Sequence, residues 1–256
     1  MSQPREKYPD WAILGSELLG PVLALLIQKM EERPSDDPNT NFVCQGAALH
    51  FAQCFGVSEG ENRKGHHAVS MCILRQCIES LSIIELGLCQ DINWANSILS
   101  GWHENTISLG KIRKELEQNV WAIYGKGLWS ESWSEFFAEL AGAVQPYAHY
   151  TRDLQAWQLE ILKSPEASRT EDGGIVLYAK IGPDTYDADK ATRITLYQIV
   201  LIWAVGRVVM ANARDSRLQE DKILKLGVAL SKAPELGLGR LSWREQFWAT
   251  EFNEPF

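Results

Sequence analysis

Apolar residues recur at helical spacing along most of this chain, and this period constrains its fold more than any other feature. The longest run, 67–89, places five of them on one stripe, namely Ile73, Cys77, Leu81, Ile84 and Leu88. A period near 3.6 residues is typical of α-helices that bury one face. The chain is therefore predicted to be all-α, a multi-helix bundle.

Clusters of proline, glycine and polar residues divide the chain into separate predicted helices. Such clusters predict loops at 34–41, 58–65, 164–174 and 234–239. The helices between them are predicted at 11–32, 41–55, 67–89, 91–102, 109–124, 133–162, 188–212 and 218–231. Asp91 is a predicted N-cap, and Ser132 with Glu135 fits a capping box. Pro146 should kink or split its helix.

One segment departs from the helical pattern. The run GIVLYA at 174–179 favours a strand, and Gly-Pro-Asp at 182–184 favours a turn. We therefore expect a small β-hairpin insertion at about 172–187. A hairpin could mark a domain boundary, but this one is too small to hold its own core. The expected organisation is a single helical domain over residues 1–256.

Charge and cysteine usage limit the compartment and the partners. The net charge of −8 in 256 residues argues against broad, non-specific DNA binding, which needs clustered Lys and Arg. The five cysteines are odd in number and lie mostly in apolar helical runs, which predicts reduced core residues. No secretory signal pattern is present at the N-terminus. The apolar runs at 12–28 and 194–206 are short for a span, so core helices in a cytoplasmic protein are predicted, with no membrane partner.

A polar pair interrupts the most apolar predicted helix. Arg75 and Glu79 are four residues apart and therefore share a helix face. Burial of a charge costs several kcal/mol unless the charge is paired and hydrogen-bonded. The pair is interpreted either as a structural ion pair or as the wall of a pocket that binds a polar or anionic ligand.

A second candidate segment follows Gly142 and Pro146, which loosen the helix around His149. His149 and Arg152 are three residues apart and could face one way. A histidine beside an arginine can act as a general base next to an anion clamp. The alternative is a hydrogen-bonded histidine at a helix junction.

Other site types have weaker support. The histidines lack metal-ligand spacing, and His66 and His67 are predicted to lie at a solvated helix start. No nucleophile elbow, P-loop or dinucleotide-binding pattern occurs, so neither a metal nor a cofactor is predicted. The tryptophans between 94 and 133 could form a stacking platform, but core packing is favoured because few cations accompany them.

Two segments together suggest a family. LRQCIESLSIIELGL at 74–88 and AELAGAVQPYAHY at 138–150 resemble paired helices of uncharacterised bacterial proteins similar to the HEPN superfamily of helical bundles. The resemblance spans about 65–159 and implies a bundle, often within toxin–antitoxin or anti-phage systems. Ribonuclease members have an arginine followed a few residues later by a histidine. This sequence departs from that pattern. Arg63 is too close to His66 and His67, and Arg152 comes after His149 instead of before it.

The leading hypothesis is a HEPN-like binding or interaction module. Such a module is expected to bind a protein partner, a second copy of this chain or a small anionic ligand. Arg75, Glu79, His149 and Arg152 would form its site if the two helices pack together. The alternative is a metal-independent ribonuclease, with the two arginines stabilising the phosphorane and His149 as general acid or base on RNA. A third possibility is a structural subunit of a larger assembly, which predicts a large exposed apolar patch.

Overall fold

The computed structural model describes most of the helical chain. The described residues are 8–33, 37–149, 151, 154, 159–161, 172, 179–181, 186–212, 217–233 and 236. The predicted loop at 164–174 and the predicted strand at 174–179 lie largely outside these residues, and the C-terminal residues 241–256, which are rich in aromatic side chains, lie wholly outside them.

The fold is all-α, as the apolar period predicted. The described residues form eight α-helices, numbered here in chain order: α1 Asp10–Glu31, α2 Pro38–Arg63, α3 His67–Leu88, α4 Ile92–His103, α5 Leu109–Asn119, α6 Trp133–Val144, α7 Ala188–Asn212 and α8 Arg217–Ser231. Short 3₁₀ helices follow α5 and α6, at Trp121–Tyr124 and Gln145–Tyr147.

Helix α7 forms the centre of the bundle. Every residue from Leu196 to Val209 except Arg207 is buried, and α7 packs against α1, α3 and α8. The approach to α1 is close because Gly15 lies against Ile199, where even a methyl group would clash. Helix α2 packs along α3 more extensively than any other described pair of elements.

Helices α1 and α7 are both long and apolar enough to cross a membrane, judged by length and composition. In α7, 78% of the most apolar stretch is buried in the bundle, whereas in α1 the buried share is 28%. Core helices of globular proteins pass the same test, so this finding is weak evidence for a span. The cytoplasmic location stays a prediction.

The predicted helix ends agree well with the structure where a side chain provides the cap. The Asp91 carboxylate accepts a hydrogen bond from the Trp94 backbone N–H, and Ser132 and Glu135 form the predicted capping box. The helix predicted to reach 162 ends at Val144 because Pro146 interrupts it, as expected. The predicted loop at 58–65 was wrong, since α2 continues to Arg63.

The small β-hairpin expected at about 172–187 is not seen among the residues of this range that the structure describes, namely 172, 179–181 and 186–187. Two three-residue strands are described, β1 Leu159–Ile161 and β2 Ala179–Ile181, and they pair in antiparallel register. The partner of β2 therefore precedes it in the chain, rather than following a turn at 182–184. Residues 159–161 had been predicted as helix, and helical periodicity alone cannot separate a short apolar strand from a helical segment.

Several buried polar side chains connect the helices through hydrogen bonds. Between α2 and α3 the hydroxyls of Ser58 and Ser70 lie 2.7 Å apart, and Gln198 of α7 donates to Ser58 at 2.9 Å. Arg33, only 7% exposed, donates to the Gly87 carbonyl and to the side-chain oxygens of two asparagines, Asn41 and Asn96. Arg33 therefore joins the end of α1 to α2, α3 and α4.

His67 is buried, which corrects the prediction of a solvated helix start. Its Nδ1 lies 2.9 Å from Asn62 Oδ1, and its Nε2 accepts the Asp187 backbone N–H at 3.1 Å. These two bonds fix a neutral ring that donates from Nδ1. Burial lowers the pKa of the His67 imidazole, because the charged form would lose its hydration. His67 thus anchors the start of α7 to α3.

Candidate functional site

A polar stripe lies along one face of α3. Its members, Arg75, Glu79, Ser82 and Glu85, follow one another at intervals of four, three and three residues, which places them on one side of the helix. This face meets α5 and the 3₁₀ helix Trp121–Tyr124. The stripe is the candidate site, because it concentrates ionisable groups within an otherwise apolar interface.

The stripe begins with the ion pair that the spacing predicted. Arg75 Nε donates to Glu79 Oε1 at 2.9 Å, and the two side chains are 14% and 31% exposed. A half-buried pair of this kind is less screened by solvent than a surface pair. The second carboxylate oxygen, Glu79 Oε2, has no hydrogen bond to a described residue.

Arg113 of α5 lies opposite the centre of the stripe. Its Nε donates to Ser82 Oγ at 3.2 Å, and its guanidinium carbon lies 5.6 Å from the centre of the Phe137 ring. Desolvation lowers the pKa of the Arg113 guanidinium, and the neighbouring charge of Arg75 acts in the same direction. Arg113 Nη2 is buried and has no hydrogen-bond partner.

Glu85 ends the stripe in the interior of the bundle. The side chain is fully buried, and Trp121 Nε1 donates to its Oε2 at 2.6 Å. Burial raises the pKa of the Glu85 carboxyl to about 8, against the weaker opposing effects of Trp121 and Arg113. Glu85 is therefore mostly protonated and uncharged at neutral pH. Its Oε1 makes no hydrogen bond to a described residue, although the nearby Tyr124 hydroxyl has a further, smaller effect that lowers the pKa of the carboxyl.

The polar region continues from Glu85 to α7. The Tyr124 phenol is buried beside Glu85, and burial raises the pKa of its hydroxyl. Asn212 Nδ2 lies 3.4 Å from that hydroxyl, whereas Asn212 Oδ1 is buried without a partner. Arg207 donates to the Tyr124 backbone carbonyl. The continuous polar region thus contains three unpartnered buried atoms, on Glu85, Arg113 and Asn212.

Unpartnered polar atoms of this kind are unusual in folded proteins. A buried donor or acceptor without a partner costs about 1–3 kcal/mol, and native structures have few of them. In the described part of the chain there are five such side-chain atoms, and the other two belong to Trp11 and Trp133. Their concentration beside the stripe indicates a place where water or a ligand group completes the hydrogen bonding.

The structure only partly assembles the predicted composite site. The segment containing His149 does pack against α3, since Cys72 Sγ lies 2.9 Å from the Tyr147 carbonyl. His149 itself is exposed and makes no hydrogen bond to a described residue. Arg152 lies outside the described residues. Arg75 and Glu79 are therefore together as expected, while a role for His149 and Arg152 stays a prediction.

Three residues of the site were not predicted from the sequence, namely Glu85, Arg113 and Trp121. A partial signal for Glu85 existed, because it continues the spacing of Arg75, Glu79 and Ser82 within one apolar helix. No comparable signal existed for Arg113, which lies among charged residues of α5 like any solvated arginine. Its position beside Phe137 follows from tertiary packing alone.

The site contains no evident metal centre. Within the described residues, no group of three or more His, Cys, Asp or Glu side chains is placed to hold a metal ion. Comparison of the chain with protein-family models, with curated proteins and with solved structures finds no match. The geometry of this chain is therefore the main basis for a proposed function.

Proposed function

We propose that this protein is a helical binding module of the HEPN-like kind, and that it takes a small anionic ligand at the polar stripe of α3. The observation behind this proposal is the buried, unpartnered Nη2 donor of Arg113. A guanidinium offers five N–H donors in a planar arrangement that matches a carboxylate or phosphate. An anion bound there would satisfy this donor.

The charges of the stripe favour the same type of ligand. Arg75 and Arg113 provide two positive charges, and Glu79 provides one negative charge. Glu85 adds little negative charge at neutral pH, because burial raises the pKa of its carboxyl to about 8. The stripe consequently has one positive charge in excess, even though the whole chain has a net charge of −8. An anion would restore local neutrality in a region partly removed from water.

Ligand binding can be tested by calorimetry and by thermal unfolding, with inorganic phosphate, AMP and a short RNA oligonucleotide as probes. We expect at least one probe to bind saturably and to raise the melting temperature. Arg113→Gln should weaken this binding at least tenfold, since a charged hydrogen bond contributes about 1.5–3 kcal/mol. Arg75→Gln should weaken it as well.

The matched control is Arg63→Gln. Arg63 pairs with Glu59 at the same four-residue spacing, but its side chain is 76% exposed on α2. Binding to this variant should stay within twofold of the wild type. Absence of binding by all three probes, or equal binding by wild type and Arg113→Gln, contradicts the proposal.

The cellular role and the partners belong to the same proposal. The resemblance supports a place in a bacterial defence or toxin–antitoxin system, with a protein partner or a second copy of the chain. The ribonuclease and structural-subunit alternatives stay predictions, and no feature of the described residues favours either one.

A further inference from the structure

A cleft that does not include Arg113 or Glu85 opens beside Glu79. It is a cleft of about 450 Å³ between α2, α3, α4 and the start of α5. Seven small or apolar residues line it, namely Phe42, Val43, Gly46, Ala47, Ile83, Trp102 and Leu109. Small-molecule sites typically have volumes of about 300–1,000 Å³ and mainly apolar walls with a few polar groups. The cleft meets both conditions.

The aromatic walls indicate the shape of an occupant. Phe42 is 74% exposed at the cleft, whereas the other four phenylalanines among the described residues are buried. Trp102 lines the cleft from α4 and is only partly buried. Aromatic rings interact well with flat aromatic ligands, beyond the gain from buried area. On α2, Gly46 and Ala47 leave space that a larger side chain would fill.

The polar groups indicate the chemistry of the occupant. Glu79, His50 and His103 all line the cleft, together with Gln76 and Ser80. Arg75 occupies only Oε1 of Glu79, so Oε2 is available as an acceptor. A ligand with an N–H donor would satisfy this oxygen, whereas an anionic ligand would be repelled by it. The cleft thus offers a hydrogen-bond acceptor at Glu79, whereas the Arg113 side of the stripe offers a donor.

We propose that this cleft binds a small planar aromatic molecule, neutral or cationic, which stacks on the Phe42 and Trp102 rings and donates a hydrogen bond to Glu79. This site goes beyond the anion site proposed above. It requires neither the guanidinium of Arg113 nor the protonation of Glu85. The proposal for this cleft and the proposal for the anion site can therefore be tested independently.

The test uses two glycines of α2 as a matched pair. A Cβ atom built on Gly46 or on Gly56 meets nothing within 4 Å, so a side chain at either position should be tolerated by the fold. Gly46 lines the cleft and Gly56 does not. Gly46→Trp should therefore fill the cleft, and Gly56→Trp should place the same side chain on the same helix outside it.

The probes are 4-aminoquinoline, which has N–H donors on a flat ring system, and quinoline-4-carboxylate, an anion of similar shape. We expect saturable binding of 4-aminoquinoline to the wild type by calorimetry, at least tenfold tighter than binding of the carboxylate. Gly46→Trp should weaken it at least tenfold, and Gly56→Trp should stay within twofold of the wild type. Glu79→Gln should reduce the preference for the amine.

Gly46→Leu serves as the second variant if circular dichroism shows that Gly46→Trp does not fold. Three results would overturn the proposal. They are a failure of 4-aminoquinoline to bind the wild type, equal binding of 4-aminoquinoline to the Gly46 and Gly56 variants, and tighter binding of quinoline-4-carboxylate than of 4-aminoquinoline. A different result would contradict the proposed anion site, namely phosphate or AMP binding to Arg113→Gln that is as tight as binding to the wild type.

Discussion

The buried carboxyl of Glu85 should make the stability of this protein depend on pH in an unusual direction. The folded-state pKa is about 8, whereas the ordinary value is 4.5. Because the folded pKa is raised, the folded protein holds a proton that the unfolded chain has lost. The contribution of Glu85 to the free energy of unfolding is therefore fully present below about pH 4.5, and it is lost as the pH rises towards 8.

The size of the effect follows from the difference between the two pKa values. One pKa unit corresponds to about 1.4 kcal/mol. Between pH 6 and pH 8 the unfolded carboxyl is ionised throughout, while the folded carboxyl goes from protonated to half ionised. The free energy of unfolding should therefore fall by roughly 2 kcal/mol across this interval from Glu85 alone. This is a large share of a typical domain stability of about 5–15 kcal/mol.

The perturbation is Glu85→Gln, which keeps the shape and an acceptor for Trp121 Nε1 but cannot ionise. Urea unfolding of wild type and variant should be followed at pH 6, 7 and 8. With a denaturant slope near 3 kcal/mol per M, the wild-type midpoint should fall by about 0.7 M relative to the variant. The difference between the two proteins is the readout, because His67 and other groups titrate in both.

The control is Glu31→Gln, at an exposed position near the end of α1. This variant should follow the wild-type pH dependence. The reasoning is refuted if wild type and Glu85→Gln lose stability in parallel between pH 6 and pH 8. Such a result would mean that the Glu85 carboxyl is ionised in the folded protein, and that water or a cation compensates its charge.

Other features give further predictions. Arg33→Lys should lower the free energy of unfolding by about 2 kcal/mol in urea titrations, because an ammonium cannot reproduce the planar set of hydrogen bonds. Gly15→Ala should destabilise by about 1–3 kcal/mol through overpacking, whereas Gly46→Ala should stabilise by about 0.5–1 kcal/mol. Incubation with RNA in EDTA should show no more cleavage by wild type than by His149→Ala, and cleavage lost in the variant would support the ribonuclease alternative. Phosphate or AMP affinity should fall several-fold between pH 7 and pH 9 in calorimetry, and Glu85→Gln should remove this dependence.

Local patterns in the sequence predicted much of the helical fold. Helix α7 was predicted over the same residues that the structure gives, and the caps at Asp91 and Ser132 were correct. These features depend on neighbours within a few residues, so the sequence contains the necessary information. The hairpin prediction was wrong because strand pairing joins residues 159–161 and 179–181, which are distant in the sequence.

The candidate site was predictable only along a single helix. The Arg75 and Glu79 pair follows from a four-residue spacing on α3. The solvated position predicted for His67 was wrong, because its partner Asp187 comes from a segment 120 residues away. Arg113 had no local signal either, since its burial depends on how α5 lies against α3 and α6. Long-range contacts of this kind are set by tertiary packing, which spacing alone does not describe.

The buried polar groups of the described residues fall into two classes, and the difference between them supports the proposed site. The Nε, Nη1 and Nη2 atoms of Arg33 and both ring nitrogens of His67 have hydrogen-bond partners. The fold itself therefore explains why these two side chains are buried. Glu85 Oε1 and Arg113 Nη2, by contrast, are each buried with no hydrogen bond to a described residue. A structural network gains nothing from such gaps, since each one costs about 1–3 kcal/mol. A binding site does require them, because a ligand can form strong hydrogen bonds only with groups that the protein has not already satisfied.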